Sequence, residues 1–382
     1  MRRQREQVNI RKRGVCVSVV VFGTLIGCTL LAYTAFADQT SKNGTLQQVV
    51  FLFRHGDRNP TETYPKDPYL NYSWPGGWGA LTKKGMQQLY KVGQWIREEY
   101  GVIIGNKYKS ANTLVRSTFA ERCIMSGQAL LAGLFPPSRE DMFVPNLEWT
   151  PVPVYSIPRE MDKLIAVKAP CSRLAEALKQ AYFEEEKRSG EEMADYYKNL
   201  TKYTGQNMTT ITDVEFLYNT LEIEEKHGLK LPNWTQKFYN NEMREIAARS
   251  LALFTDNDIQ KRLQGGPLVK EILQHMEETI IQPQSRRAYF YSAHDITIVN
   301  TMRTMGFTSK RLKPDYGATF ILELHLADNG DQEVKMLYLN NSETKIASPL
   351  EIPNCASPCL LQNLKNIWSK IIPENWDAEC KM

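Results

Sequence analysis

Apolar residues along this chain collect into short runs in its first and last thirds, and a charged stretch separates them. Residues 48–53 are continuously apolar after the first position, and residues 288–292 form a second run rich in aromatic side chains. Such runs predict strands that are buried on both faces of a sheet. Residues 319–325 and 334–339 are further candidate strands, and the Gly-containing turn between them predicts a hairpin.

Helical periodicity follows the first strand closely. Met86, Leu89, Gly93 and Ile96 recur every three or four residues, which predicts an amphipathic helix from about residue 81 to residue 100. One face of this helix is therefore expected to pack against the sheet.

The middle of the chain has a different character. Residues 117–134 predict a second helix, and another is expected to begin near Asp295, but the segment between them is charged and has few continuous apolar runs. Its helical stretches, such as residues 174–197, indicate a separate insertion. The predicted organisation is an α/β core formed by residues 45–150 and 266–382, with residues 151–265 as a mainly helical cap.

The first 37 residues have the features of an export segment. Six Lys and Arg side chains lie within the first thirteen residues, and residues 14–37 carry no charge and end in Ala35-Phe36-Ala37. Cleavage as a signal peptide and retention as a membrane anchor through residues 14–37 are both open, because 24 uncharged residues are long enough to span a bilayer. The secretory pathway is expected, with a secreted or extracellular protein preferred and lysosomal or membrane-anchored forms left open.

The composition of the chain after the export segment limits the kinds of partner that the protein can bind. Since the basic leader accounts for the net charge of +4, the rest of the chain is nearly neutral, which argues against nucleic-acid binding. Cys355 and Cys359 predict a local disulfide rather than a metal site, because no second pair of ligands lies nearby. Cys171 and Cys380 could form a longer bridge, although counting alone leaves the pairing open. Six glycosylation sequons are present, at Asn43, Asn71, Asn199, Asn207, Asn233 and Asn340.

The most informative motif is Arg-His-Gly-Asp-Arg-Asn-Pro at residues 54–60, directly after the first predicted strand. Ligands bind beyond the carboxyl ends of strands in open α/β sheets. Arg54 and Arg58 offer permanently charged donors that suit a phosphate monoester, and Gly56 allows a close backbone approach. His55 lies between two cations that disfavour its protonated form, so its ring is a candidate nucleophile.

A second motif ends the other buried strand. Tyr-Ser-Ala-His-Asp occupies residues 291–295, where a helix is expected to follow. Asp295 is the candidate proton donor to a departing oxygen, and His294 is a candidate hydrogen-bond donor to a phosphoryl oxygen. Because such a donor must be protonated, this chemistry favours acidic pH.

Together with residues 64–69 and 265–268, these two motifs resemble the histidine acid phosphatase family, including its prostatic, lysosomal and insect-venom members, from about residue 49 to residue 380. The resemblance implies a phosphoglycerate-mutase-like α/β sheet with flanking helices and a helical cap. It implies that His55 is the nucleophile, that Asp295 is the proton donor, and that the phosphate is bound by Arg54, Arg58, Arg122 and His294.

The resemblance also implies the disulfides Cys171–Cys380 and Cys355–Cys359, with Cys123 as a buried free thiol. The expected activity is hydrolysis of phosphate monoesters with neither metal nor cofactor. A phytase-like enzyme and a catalytically silent binding protein of the same fold are the alternatives, and a homodimer is left open.

Overall fold

The computed structural model describes residues 46–282 and 284–381. The expected export segment and the sequon at Asn43 lie outside these residues. Within the described part of the chain, no helix is long and apolar enough to cross a membrane. Residues 47–382 form one compact unit, so the boundaries expected between core and cap remain a prediction.

The sheet contains six strands and combines parallel and antiparallel pairing. Its strand order is β2-β3-β1-β4-β5-β6, with β3 parallel to both β1 and β2, and β5 antiparallel to both β4 and β6. All four predicted strands are present, and the predicted hairpin is formed by β4 and β5. The strand bounds are β1 Leu46–Arg54, β2 Thr113–Ser117, β3 Ala288–Ala293, β4 Thr319–Leu326, β5 Gln332–Leu339 and β6 Ser348–Leu350.

One boundary expected from the sequence is wrong. Residues 117–134 predict a single helix, but Thr113–Ser117 is the strand β2 and the helix begins only at Glu121. The strand is short, and backbone hydrogen bonds with Tyr155 supply partners on the side away from β3: Tyr155 N donates to Val115 O, and Ser117 N donates to Tyr155 O. Those long-range partners cannot be read from five residues of local pattern.

The helices cover the sheet and build the cap. Their bounds are α1 Lys83–Ile104, α2 Glu121–Leu134, α3 Ser172–Thr204, α4 Ile211–Lys226, α5 Thr235–Phe238, α6 Asn241–Leu253, α7 Asp258–Gln260, α8 Gly266–Ile281, α9 Asp295–Thr304, α10 Leu361–Trp368 and α11 Trp376–Glu379. Short 3-10 turns occupy Arg159–Met161 and Ser369–Ile371, and Lys261–Gly265 forms one π-helical turn. Helix α1 begins where sequence predicted, because the Thr82 side chain accepts a hydrogen bond from Gly85 N and caps it.

Two of the apolar clusters formed by the described residues explain the mixed character of the sequence. One cluster packs on one face of the sheet and includes Leu52, Tyr291 and Phe320, all nearly fully buried. The other lies among α3, α4 and α6, and includes Leu200, Leu221 and Ala247. The helical insertion therefore has an apolar cluster of its own, as expected for a charged segment that folds into amphipathic helices.

The described cysteines form two disulfides, with the pairing that the resemblance implied. Cys171 joins Cys380 across 209 residues, Cys355 joins Cys359, and Cys123 is a buried free thiol. Among the described sequons, those at Asn71, Asn207, Asn233 and Asn340 are exposed. Asn199 is half-buried on α3, where its side-chain amide donates to Asp195 O at 2.7 Å.

Candidate active site

The two sequence motifs meet because the strands that carry them are neighbours. In the parallel register of β1 and β3, Arg54 lies opposite Ala293. The backbone continues this pairing by one step, since His55 N donates to Ala293 O at 3.0 Å. The rings of His55 and His294 consequently lie edge to face, with centroids 5.5 Å apart. Residues 239 positions apart in sequence thus form one site at the carboxyl end of the sheet.

His55 is buried and oriented by its own backbone. Its Nδ1 lies 2.8 Å from Gly56 O, an acceptor, so the ring proton resides on Nδ1 and the Nε2 lone pair is available. Burial and the positive charges of Arg122, Arg54 and Arg58 hold the pKa of His55 well below its usual range. These surroundings favour the neutral imidazole, as a nitrogen nucleophile requires.

Three arginines provide a positive environment for this ring. Arg54 and Arg58 are buried on either side of His55, and Arg122 reaches in from α2. Within the described residues, the buried Nε of each of these arginines has no hydrogen-bond partner. Buried donors are normally paired, so three such groups beside one imidazole indicate a site that receives an oxyanion.

His294 sits between two other side chains of the site. Arg122 Nη2 lies 3.4 Å from its Nδ1, and Thr118 Oγ1 lies 3.2 Å from its Nε2. A guanidinium can only donate, so Nδ1 accepts and the ring proton resides on Nε2. Burial and the charge of Arg122 lower the pKa of His294 to about 3. The ring is therefore a neutral donor through Nε2.

Asp295 is the first residue of helix α9. Within the described residues, its carboxylate is the only one that forms an ion pair with Arg54. Its Oδ1 accepts from Ile296 N at 2.8 Å, while Oδ2 lies 3.0 Å from Arg54 Nη2 and 3.3 Å from Lys313 Nζ. Burial alone would raise the pKa of Asp295, but the two cations outweigh it and hold the pKa well below its usual range. Without a bound anion, this carboxyl is ionised.

Gly56 has a structural role in addition to the one expected. A Cβ at this position would lie 2.2 Å from Gly85 O, so Gly56 permits the motif to pack directly against the start of α1. Its backbone N donates to Ser126 Oγ on α2 at 3.1 Å. The close contact fixes the loop that carries His55 and Arg58.

The segment before β4 completes the site and was not predicted from the sequence. Arg54 Nη1 donates to Pro314 O at 2.7 Å, and the Arg54 guanidinium lies 4.2 Å from the centre of the Tyr316 ring. Gly317 N also donates to His55 O at 3.3 Å. No local motif marks these residues, although a lysine, an aspartate and a tyrosine within a short Pro- and Gly-containing loop could have drawn attention to it.

A cavity of about 1250 Å³ borders this site through Asp57 and Tyr316. Its ionisable lining combines four cations with four carboxylates. Two of those cations form ion pairs within the cavity wall, Lys91 with Glu343 and Lys226 with Glu222. The cavity beside His55 and the three arginines is thus balanced in charge.

The sequence that forms this site matches the model of a known protein family. The model for the histidine phosphatase superfamily (branch 2) matches residues 45–339, which include both motifs. The chain belongs to this superfamily. The resemblance and the fold class expected from the sequence are both confirmed.

Curated members of the histidine phosphatase superfamily match most of the chain. Lysosomal acid phosphatase of Rattus norvegicus is 35% identical over 343 residues, which covers 88% of this chain and 81% of the relative. Prostatic acid phosphatase of the same organism is also 35% identical, over 88% of this chain and 89% of the relative. Similarity on this scale extends well beyond the motifs themselves.

Solved structures of the superfamily share the architecture. The phytase of Hafnia alvei in complex with tartrate has a TM-score of 0.67 and covers 88% of this chain and 98% of its own, at 16% identity. The phytase of Citrobacter braakii has a TM-score of 0.63, again at 16% identity. These likenesses support the fold alone.

Proposed function

We propose that this histidine phosphatase is an acid phosphatase that hydrolyses phosphate monoesters through a phosphohistidine on His55. The observation that carries the proposal is the neutral, oriented His55 ring among three guanidiniums whose buried Nε groups lack partners in the described part of the chain. The 35% identity to lysosomal and prostatic acid phosphatases supports the same activity.

In the first step, His55 Nε2 attacks phosphorus while the bond from phosphorus to the leaving oxygen breaks. The leaving oxygen keeps that electron pair and takes a proton from Asp295. Arg54, Arg58 and Arg122 bind the phosphoryl oxygens, and His294 donates its Nε2–H to one of them in place of Thr118. The products of this step are the alcohol and a phosphohistidine.

In the second step, water attacks the phosphohistidine. The Asp295 carboxylate takes a proton from the water, the phosphorus–nitrogen bond breaks, and its electron pair returns to His55 Nε2. Inorganic phosphate leaves, and Asp295 then releases the proton taken from water to the solvent and returns to the ionised state of the free site.

The charge of the substrate explains how Asp295 becomes a donor. In the free site, Arg54 and Lys313 hold the Asp295 carboxyl ionised. A phosphate group that binds Arg54 adds negative charge beside the carboxyl and competes for its ion pair, which favours protonation. Low pH supplies that proton, so activity is expected to be highest in acid.

Metal independence belongs to this proposal because cationic side chains can meet the phosphate charge themselves. Arg54, Arg58 and Arg122 offer fixed planar donors that match phosphoryl oxygens. The chemistry assigned to His55 and Asp295 requires no Lewis acid. The core and cap division, glycosylation at the sequons, and delivery through the secretory pathway by residues 1–37 complete the proposal, and the lysosomal and prostatic relatives support that compartment.

The fold is compatible with the phytase alternative, but the charge of the cavity beside the site is not. A polyphosphate requires excess positive charge along its binding surface. The four cations of the adjoining cavity are matched by four carboxylates, and Lys91 and Lys226 are already paired. A substrate with a single phosphate fits this balance better. A silent binding protein is less consistent with a nucleophile and a proton donor arranged at one site.

Trapping the intermediate tests the proposal. Turnover of a phosphate monoester would be stopped in alkaline denaturant, where phosphohistidine survives, and peptides would be analysed by mass spectrometry with a chelator present throughout. Phosphate on His55 is expected in the parent protein, and His55→Ala should lose both the label and turnover. Turnover without a labelled His55, or turnover abolished by the chelator, would contradict the proposal.

A further inference from the structure

A buried lysine beside the proton donor takes no direct part in the two chemical steps above. Lys313 lies in the loop between α9 and β4, and only 6% of its surface is exposed. Burying an ammonium group is costly unless partners compensate for the lost water. Its position therefore requires a specific reason.

Two side chains from different parts of the fold hold this ammonium group. Lys313 Nζ donates to Asn219 Oδ1 on the cap helix α4 at 2.8 Å, and it lies 3.3 Å from Asp295 Oδ2. The backbone of Lys313 is held as well, because Arg244 Nη2 on α6 donates to Lys313 O at 3.3 Å. The cap thus fixes the lysine that contacts the carboxylate of the core.

The hydrogen bonds continue from Asn219 into the cap. Asn219 Nδ2 donates to Glu215 Oε1 at 3.3 Å, and Ser250 Oγ on α6 donates to Glu215 Oε2 at 2.7 Å. Asn219 is consequently oriented with its oxygen toward Lys313, since its nitrogen is engaged by Glu215. This chain of contacts leaves the ammonium group little freedom to move away from Asp295.

We propose that Lys313 is a positioning residue that orients the Asp295 carboxyl for proton transfer and limits the pH range in which the enzyme works. The inference rests on the proposed role of Asp295 as proton donor. Arg54 and Lys313 share Oδ2, and the backbone N of Ile296 holds Oδ1. When phosphate engages Arg54, Lys313 remains as the cation that fixes the carboxyl.

The electrostatic surroundings support this role. Attraction to Arg54 and Lys313 outweighs burial and keeps the pKa of Asp295 low. A proton donor with a lowered pKa is active only in more acidic solution. The other titratable groups that face Asp295 are His55 directly after β1, Arg122 and Cys123 on α2, Glu215 on α4, His294 directly after β3 and Tyr338 on β5.

The test compares pH profiles of kcat for an alkyl phosphate in the parent protein and in Lys313→Met. Activity falls as pH rises through the pKa of the donor in the substrate complex, and loss of a nearby cation raises that pKa. The descending limb should therefore move to higher pH by about one unit. Lys313→Arg, which keeps the charge, should move it much less. With an activated aryl phosphate, which needs little protonation, the difference should nearly vanish.

Lys226→Met is the matched control. Lys226 is also near the site, 5.0 Å from the Tyr316 ring, but it pairs with Glu222 rather than with Asp295. Its removal should shift the limb by less than half as much. Inhibition by inorganic phosphate should be unchanged in Lys313→Met within about twofold, because a positioning residue does not bind the anion. Thermal unfolding monitors the fold, and Lys313→Gln replaces the methionine variant if that variant is unstable.

Several results would overturn the inference. The first is a descending limb of the pH profile that does not move in Lys313→Met, and the second is a shift of equal size in Lys226→Met. The third is a large loss of phosphate inhibition in Lys313→Met, which would mean that Lys313 binds the anion. Asp295→Asn separates this failure from failure of the proposed function. If that variant slows alkyl and aryl esters equally, the donor role itself is wrong. If it slows alkyl esters selectively while Lys313→Met keeps the parent profile, only the role of Lys313 is wrong.

Discussion

Two buried carboxyl groups, one at the end of the sheet and one in the cap, are perturbed in opposite directions. Asp295 contacts Arg54 and Lys313, and these cations keep its pKa well below the usual range despite burial. Glu224 is fully buried on α4, where burial and the neighbouring carboxyl of Asp67 raise its pKa to about 9. Burial is common to both groups, so the sign of the shift is decided by the neighbour.

The difference assigns distinct tasks to the two regions. The edge of the sheet that carries His55 and Asp295, the proposed catalytic edge, holds a carboxyl that in the proposed mechanism exchanges a proton when an anion binds Arg54. The cap junction holds a carboxyl protonated, where it can share a hydrogen with Asp67 from the loop that follows the His55 motif. Acidic solution favours both arrangements, although for different physical reasons.

Among the variants that test this comparison, replacement of the proposed proton donor should change the rate of hydrolysis the most. Asp295→Asn keeps the size of the side chain but removes its acid, so hydrolysis of alkyl phosphates should slow by about 10²- to 10⁴-fold. Activated aryl phosphates should slow far less, because their leaving groups need little protonation. Steady-state kinetics across a series of leaving-group pKa values measures the effect. Equal slowing across the series would contradict the assignment of Asp295.

Replacing a phosphate ligand should have a smaller effect. Arg122→Met removes one charged donor, and kcat/KM should fall by roughly 10- to 100-fold, as expected for a hydrogen bond to a charged group. Inorganic phosphate should also inhibit more weakly. Arg116→Met on β2 is the control, because Arg116 pairs with Glu271 rather than with His294. Equal losses in the two variants would show that Arg122 has no special place in the site.

The catalytic edge was largely predictable from sequence because the backbone itself builds it. His55 and Asp295 each follow a buried strand, and the parallel register of those strands brings the motifs together. Arg122 is different, since its position on a helix gives no local sign that it points into the site. Only resemblance to the family identified it.

Lys313 and the Glu224–Asp67 pair could not be predicted in the same way. Lys313 obtains its partner Asn219 from a helix 94 residues away, and no periodic pattern links the two. Glu224 looks like one of several charged positions on a surface helix, yet it is fully buried. Charged residues buried by tertiary packing carry no local signature, because sequence patterns encode the burial of apolar faces.

The smallest expected effect concerns the stability of the folded protein rather than catalysis. It arises where Glu224 of the cap lies beside Asp67. Glu224 stays protonated in the folded protein up to a pKa of about 9, whereas in the unfolded chain it ionises near the ordinary value for glutamate. Between those values the folded state binds the extra proton, so its stability must fall as pH rises. Glu224→Gln keeps the hydrogen-bonding shape without the charge and should remove this part of the pH dependence.

Denaturant unfolding of the parent protein and Glu224→Gln at pH 5 and pH 8 measures the effect. The variant should lose less stability than the parent between these values, and Glu192→Gln, an exposed carboxyl on α3, should behave like the parent. An identical decline in all three proteins would mean that Glu224 is already ionised when folded. Asp67 would then have to tolerate a second buried charge, and the contrast between the two regions would fail, because both carboxyls would be held as anions.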